Sequence, residues 1–153
     1  MAIITIAEVL ERVKYFERRL AEFYAKLSLE TTREGVRLLS DYMSRHRQRT
    51  HIALLELPID EAEEITRICN TSLRYEPQGL GKCCFDGIEL GPDASAAEVL
   101  DVAIKFDECL IRFYKQVSQQ HVSQHIKELF ESLARKELSD EIELKKIKTM
   151  NYF

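Results

Sequence analysis

Apolar residues recur every three or four positions in four stretches of the chain, which is the spacing of one buried face of an α-helix. Glu17 interrupts this face in the first stretch, and Asp107 interrupts it in the third. The flanking apolar positions are Leu10, Val13, Leu20, Tyr24 and Leu27 in the first stretch and Leu100, Ala103, Leu110, Tyr114 and Val117 in the third. The pattern predicts two helices that each direct one acid at a shared core.

The second and fourth stretches also carry polar residues at positions that complete an apolar stripe. In the fourth stretch these residues are Glu137 and Asp140, and in the second they are Arg47 and Thr50. The apolar positions are Val36, Leu39, Met43, Leu54 and Leu57 in the second stretch and Ile126, Leu129, Leu133, Leu144 and Ile147 in the fourth. Four acids and one arginine are therefore predicted to face the same interior.

An internal repeat relates the two halves of the chain. When the sequence is shifted by ninety positions, the segment 7–27 lies over 97–117 with many identities, and Glu17 matches Asp107. The same shift sets Arg47 and Thr50 opposite Glu137 and Asp140. Each half is predicted to form one helical hairpin of the same design.

Helix starts are marked by capping boxes, in which a Ser or Thr is followed three residues later by Glu. The three pairs are Thr5 with Glu8, Thr31 with Glu34 and Ser95 with Glu98. A fourth helix is expected to begin between His121 and Ser123 and to run to about Ile147.

The predicted domain organisation is a single all-α domain, 1–153. A helical hairpin over 5–57 and a second over 95–148 flank a crossover, 58–94, which holds all three prolines and one short helix near Asp60 to Cys69. Two short helix-to-helix links and one long one are typical of a four-helix bundle of the ferritin-like kind, in which the second and third helices run parallel.

Composition narrows the class of protein further. A net charge of -4 without a dense basic patch argues against a nucleic-acid partner. No apolar run reaches membrane-spanning length and no signal peptide is visible, so a cytoplasmic protein without a membrane partner is expected. Four cysteines without a Cys-x-x-Cys pair are expected to be reduced thiols, and the role of Cys83 and Cys84 stays open.

Buried acids need a counter-charge or shared protons, because an unpaired carboxylate is very costly in an apolar interior. Arg47 is the candidate counter-charge, since its guanidinium stays protonated and binds carboxylates with two parallel hydrogen bonds. His46 and His51 lie to either side of the same stripe and are close enough to reach inward.

This arrangement resembles the ferritin-like superfamily, in particular rubrerythrin-like proteins that lack a rubredoxin domain. The resemblance covers nearly the whole chain outside the crossover. It implies that the first and third helices each offer an acid, here Glu17 and Asp107, with a tyrosine nearby, here Tyr24 and Tyr114. It also implies a bound pair of iron or manganese ions, an oxidase or peroxide-reductase ancestry, and a homodimer.

The sequence departs from the family where the second and fourth helices should each carry Glu-x-x-His. The fourth helix has Glu137-Leu-Ser-Asp140, and the second has Arg47-Gln-Arg-Thr50, or Gln48-Arg-Thr-His51 if slipped by one residue. The unslipped register keeps the apolar stripe and the repeat, and is preferred. In neither register does the second helix supply a bridging acid.

Three functions follow from these residues. The first is a metal-binding protein of the peroxide-reductase or ferroxidase type with a reduced iron or manganese site; its ligands would be Glu17, Asp107, Glu137, Asp140 and His51. The second is a non-catalytic scaffold in which Arg47 replaces the metals and Thr50, Tyr24 and Tyr114 lie around the acids. A histidine phosphotransfer domain is the least favoured, since His46 and His51 lack neighbouring small residues.

Overall fold

The computed structural model describes residues 4–55 and 62–150, and this part of the chain is mostly helical, as predicted. The helices are α1 (Ile6–Glu30), α2 (Glu34–Leu55), α3 (Ala62–Cys69), α4 (Lys82–Phe85), α5 (Ala96–Ser118) and α6 (Gln124–Met150). Two short strands, β1 (Ile4–Thr5) and β2 (Ser72–Leu73), pair antiparallel with Ile4 opposite Leu73.

The long helices pack as two sequential pairs. α1 lies along α2 and α5 lies along α6, while α2 also touches α5. The link between α1 and α2 is residues 31–33, and the link between α5 and α6 is residues 119–123. Among the described residues, no helix has both the length and the apolar composition needed to span a bilayer.

Two of the three predicted capping boxes coincide with observed helix starts. The Thr5 hydroxyl accepts a hydrogen bond from the backbone N–H of Glu8, and Ser95 and Glu98 form the complete reciprocal box at the start of α5. The start of α6 also agrees with the prediction, because the Ser123 hydroxyl accepts from the backbone N–H of Ile126. These caps satisfy backbone donors that have no partner within the helix.

The predicted box of Thr31 with Glu34 is wrong. Thr31 ends α1, since its backbone N–H still donates to the carbonyl of Leu27. Its hydroxyl accepts from the backbone N–H of Arg33 and donates to the carbonyl of Pro92. Because the link between α1 and α2 is short, the Thr31 side chain stabilises the turn instead of capping α2, which begins at Glu34.

The connection between the two pairs holds more structure than predicted. The short helix begins at Ala62 and ends at Cys69, close to the predicted span, while its expected start and the boundary at 57/58 lie outside the described residues. The strand pair and the four-residue α4 were not predicted. Elements of two to four residues are too short to show a hydrophobic period.

The apolar stripes of α1 and α5 are buried throughout, as is the part of the α2 stripe that ends at Met43. On α6 the buried face is rotated relative to the prediction. Leu129, Leu133 and Ile147 are only partly buried, and Asp140 is replaced at the core by Glu141. The fully buried positions of α6 are Ile126, Phe130, Ala134, Glu137, Glu141 and Leu144.

Candidate functional site

A single arginine lies at the centre of the long helices. Arg47 follows the buried Met43 by one turn of α2, so helical geometry directs its side chain into the core, where it is 0% exposed. Three acids on the other long helices surround it: Glu17 on α1, Asp107 on α5 and Glu137 on α6. The structure thus brings together three of the four acids that the sequence predicts to face the core.

The guanidinium is shared among all three carboxylates. Nη1 lies 3.2 and 3.3 Å from the two oxygens of Glu17 and 3.2 Å from each oxygen of Glu137. Nη2 donates to Oδ1 of Asp107. Because Nη1 has only two hydrogens for four oxygens, its hydrogen bonds are shared between Glu17 and Glu137. Neither carboxylate receives the two parallel hydrogen bonds of a bidentate pair.

The charges of this cluster do not balance when every group is ionised, because one guanidinium faces three carboxylates. Burial raises the pKa of Glu17 to about 7 and that of Asp107 to about 8, since loss of water penalises the charged carboxylate more than Arg47 favours it. Burial opposes protonation of Arg47, yet the acids hold its pKa well above the ordinary range. At neutral pH the cluster therefore keeps its cation, while Glu17 and Asp107 remain partly protonated.

Both predicted tyrosines are buried beside the cluster. Burial raises the pKa of Tyr24 and of Tyr114, and the neighbouring acids reinforce the effect, so both phenols are neutral. The Tyr24 hydroxyl, like Nε of Arg47 and Oδ2 of Asp107, has no hydrogen-bond partner among the described residues. Tyr24 therefore does not hydrogen-bond Glu17 or Asp107.

Asp140 does not join the cluster around Arg47. Its Oδ2 lies 3.0 Å from Nε2 of His46, and both side chains are about a quarter exposed. A cavity of about 50 Å³ is lined by residues of both this pair and the cluster. Its lining comes from α2, α5 and α6 and includes Tyr42, His46, Arg47, Asp107, Asp140 and Leu144.

Thr50 and His51 also contact groups other than the acids. The Thr50 hydroxyl is buried and donates to the carbonyl of His46 in its own helix, at 3.1 Å. Nδ1 of His51 lies 3.1 Å from the carbonyl oxygen of Lys14 on α1. The unslipped register of α2 is therefore the one that turns a charged group to the acids.

The residues do not fit the metal ions that the resemblance implies. A cation fixed by three carboxylates lies where the acids converge, and a divalent ion there would meet its repulsion directly. Within residues 4–55 and 62–150, no group of three His, Cys, Asp or Glu side chains is arranged to hold a metal. The predicted ligands Asp140 and His51 are bound to His46 and to the α1 backbone instead.

Sequence reasoning missed two buried features. Glu141 is buried one turn after Glu137 and pairs with Lys145 at 2.8 Å. Its spacing of one helical turn from Glu137 could have indicated that Glu141 is buried. The second feature is the burial of two thiols, Cys84 and Cys109, which no sequence pattern indicates.

The raised pKa values of Glu17 and Asp107 predict that the protein loses stability as pH rises. The folded chain holds protons that the unfolded chain releases near pH 4, so unfolding becomes easier between about pH 5 and pH 8. For Glu17 alone, the rise from 4.5 to about 7 corresponds to about 3 kcal/mol. Urea denaturation across this range is the measurement.

Glu17→Gln is expected to reduce this pH dependence, because a neutral amide replaces one of the two titrating acids. Glu11→Gln on the same helix is the matched control, since the Glu11 side chain is 74% exposed. A wild-type stability that is constant or rises between pH 5 and pH 8 would contradict the buried-proton interpretation.

Comparison with known proteins adds no family assignment: no family model, curated protein or solved structure matches the chain.

Proposed function

We propose that the chain is a ferritin-like four-helix bundle in one domain, with two helical hairpins joined by a long crossover. The pairwise packing of α1 with α2 and of α5 with α6 supports this topology, as does the ninety-residue repeat. The convergence of side chains from all four long helices on one point supports a common interior.

We infer that this bundle is a non-catalytic scaffold in which Arg47 takes the place of metal ions. The observation that carries the proposal is the fully buried guanidinium bonded to acids from three other helices. A guanidinium has no accessible redox state and no open coordination position, so it offers neither electron transfer nor activation of a bound oxygen species. The function is then exerted by the surface, through self-association or partner binding.

The competing proposal is an iron- or manganese-dependent oxidoreductase with a reduced carboxylate site. For that function an ion would have to displace Arg47 and leave a guanidinium buried without its acids. Removing one partner from a buried ion network costs on the order of 3–5 kcal/mol. The contacts of Arg47 favour the scaffold.

Metal analysis separates the two proposals. Protein purified from cells supplemented with iron and manganese is expected to contain far less than one equivalent of either metal. Anaerobic addition of Fe(II) followed by oxygen should produce no new absorbance band beyond that of a buffer control. Stoichiometric metal, or oxidation of Fe(II) faster than in buffer, would reject the scaffold.

Self-association is supported by large apolar side chains on the outer face of α6. Leu138, Ile142 and Met150 are 46%, 47% and 60% exposed and follow one another at one or two helical turns. We propose that a second copy of the chain covers them, in line with the homodimer that the resemblance implies. The cytoplasmic location and the absence of a nucleic-acid partner remain predictions.

The double substitution Leu138→Glu with Ile142→Glu is expected to convert a dimer into a monomer, because charged side chains resist burial in an interface. Sedimentation equilibrium measures the change. Leu29→Glu is the matched control, since Leu29 is 86% exposed near the end of α1. A monomeric wild-type protein, or a dimer unaffected by the double substitution, would exclude this face.

A further inference from the structure

The outer side of α6 carries exposed apolar side chains beside a groove. Leu138 and Ile142 lie one helical turn apart and are both exposed. Next to Leu138, a cavity of about 190 Å³ opens between α5 and α6, and its lining includes Ile111 and Ala134. Ile111 is 8% and Ala134 is 7% exposed, so the groove has an apolar floor. The two helices together form one apolar face with a depression in it.

Charged residues of opposite sign lie at equal distances on either side of Leu138. Glu131 precedes it by seven residues and Lys145 follows it by seven. Seven residues return a side chain to within about 20° of the same helical face, and both of these residues are exposed. Arg135 and Glu141 repeat the pattern at three residues before and after Leu138. This order of charges makes α6 complementary to an antiparallel copy of itself.

We propose that two copies of the chain associate through antiparallel α6 helices, about a two-fold axis that passes at Leu138. In such a dimer the same patch serves both subunits, so each contact between two different residues occurs twice. Glu131 of each copy then lies opposite Lys145 of the other. The inference rests on the self-association proposed above, and adds the position of the axis and the surface that receives the second copy.

The same axis brings an apolar side chain to the groove. Ala134 precedes Leu138 by four residues and Ile142 follows it by four, so Ile142 of the second copy lies opposite Ala134. The groove beside Ala134 gives this side chain a place to leave water and contact the apolar floor. Apolar burial then drives the association, while the charges at its edges set the register.

The charge order also disfavours the neighbouring register. An axis halfway between Leu138 and Ile142 would pair these two residues directly. It would also set Arg135 opposite Lys145 of the second copy, and like charges that face each other across an interface lower the affinity. The axis at Leu138 is the one at which the apolar and the charged contacts agree.

Cysteine cross-linking in the full chain tests the position of the axis. A residue on a two-fold axis meets its own copy, so Leu138→Cys should form a disulfide-linked dimer on mild oxidation with copper phenanthroline. Ile142→Cys is the matched control: its two copies would lie eight residues apart along the helices, about 12 Å, which is too far for a disulfide. Both variants carry Cys69→Ser and Cys83→Ser, because these two native cysteines are not buried. Non-reducing gel electrophoresis measures the cross-linked fraction.

Charge reversal tests the register independently. Glu131→Lys and Lys145→Glu should each raise the dissociation constant of the dimer severalfold, because each sets like charges opposite one another twice. The double variant restores opposite charges and should dimerise like the wild type. Lys136→Glu, on the far side of α6, is the control and should have no effect. Sedimentation equilibrium at low salt measures all four variants.

The outcomes separate this inference from the proposal on which it rests. The substituted positions on α6 are all exposed, so the variants are expected to fold. A wild-type dimer would support self-association, but the axis would be overturned if Leu138→Cys did not cross-link or if the double charge reversal failed to restore dimerisation. A monomeric wild type would reject both the axis and the self-association.

Discussion

Arg47→Ala is expected to lower the free energy of unfolding at pH 7 by about 3–5 kcal/mol, because it leaves three buried acids without the guanidinium that bonds to all of them. At pH 5 the loss should be smaller, since Glu17 and Asp107 are then largely protonated and need less compensation. Urea denaturation at the two pH values measures both effects.

Arg45→Ala is the matched control for this substitution. Arg45 lies on the same helix, its side chain is 69% exposed, and it pairs with Asp41 at 2.9 Å. Exposed pairs of this kind contribute little, so a change within about 0.5 kcal/mol is expected. If Arg47→Ala were equally destabilising at both pH values, lost packing rather than lost charge would explain its effect.

The inward direction of Arg47 could be predicted from the sequence because two independent patterns agree on it. The apolar period of α2 requires a core position at residue 47, and the repeat matches that position to Glu137. A slip of one residue would rotate the helix by about 100° and expose the stripe that ends at Met43. Because exposing that stripe is unfavourable, the apolar pattern predicts the register of α2.

The rotation of α6 could not be predicted in the same way. Charged residues alternate with apolar ones along this helix, so neighbouring faces have similar hydrophobicity and the period does not distinguish them. Packing decides instead: the Phe130 ring lies 6.1 Å from that of Tyr114, which brings Glu137 and Glu141 inward. Asp140 then lies at the edge of the core, within reach of His46.

The path of the connection could not be predicted for a different reason. It is set by turns at Gly79 and Gly81 and by the contact of the Phe85 ring with the Phe106 ring of α5. None of these contacts has a sequence period. Local patterns can therefore predict which faces of helices are buried, but not which loop residues meet them.

The cluster also explains why a single residue separates the two proposed functions. Three acids converge in an interior that a cation must neutralise, and a guanidinium and a divalent metal ion are alternative solutions to that one requirement. A buried ion network is weak evidence for stability by itself, because desolvation offsets much of its attraction. The network is stronger evidence about function, because Arg47 excludes a second cation, such as a metal ion, from the same position.

Arg47→Glu is expected to destabilise the protein at pH 7 more than Arg47→Ala does, because a fourth carboxylate adds repulsion to the loss of the cation. Four converging carboxylates are a donor set suited to Mn(II), so this variant should regain stability when the metal is added. At a concentration one hundred times the dissociation constant, the gain would be about 2.7 kcal/mol.

The variant is folded at pH 5, where its acids hold protons, and is then brought to pH 7 with and without Mn(II) while its melting temperature is measured. Arg47→Gln, which removes the charge without adding an acid, is the matched control and should not respond to Mn(II). An equal response of the wild type would show that Arg47 does not exclude metal, and no response of Arg47→Glu would show that the acids are not a latent metal site.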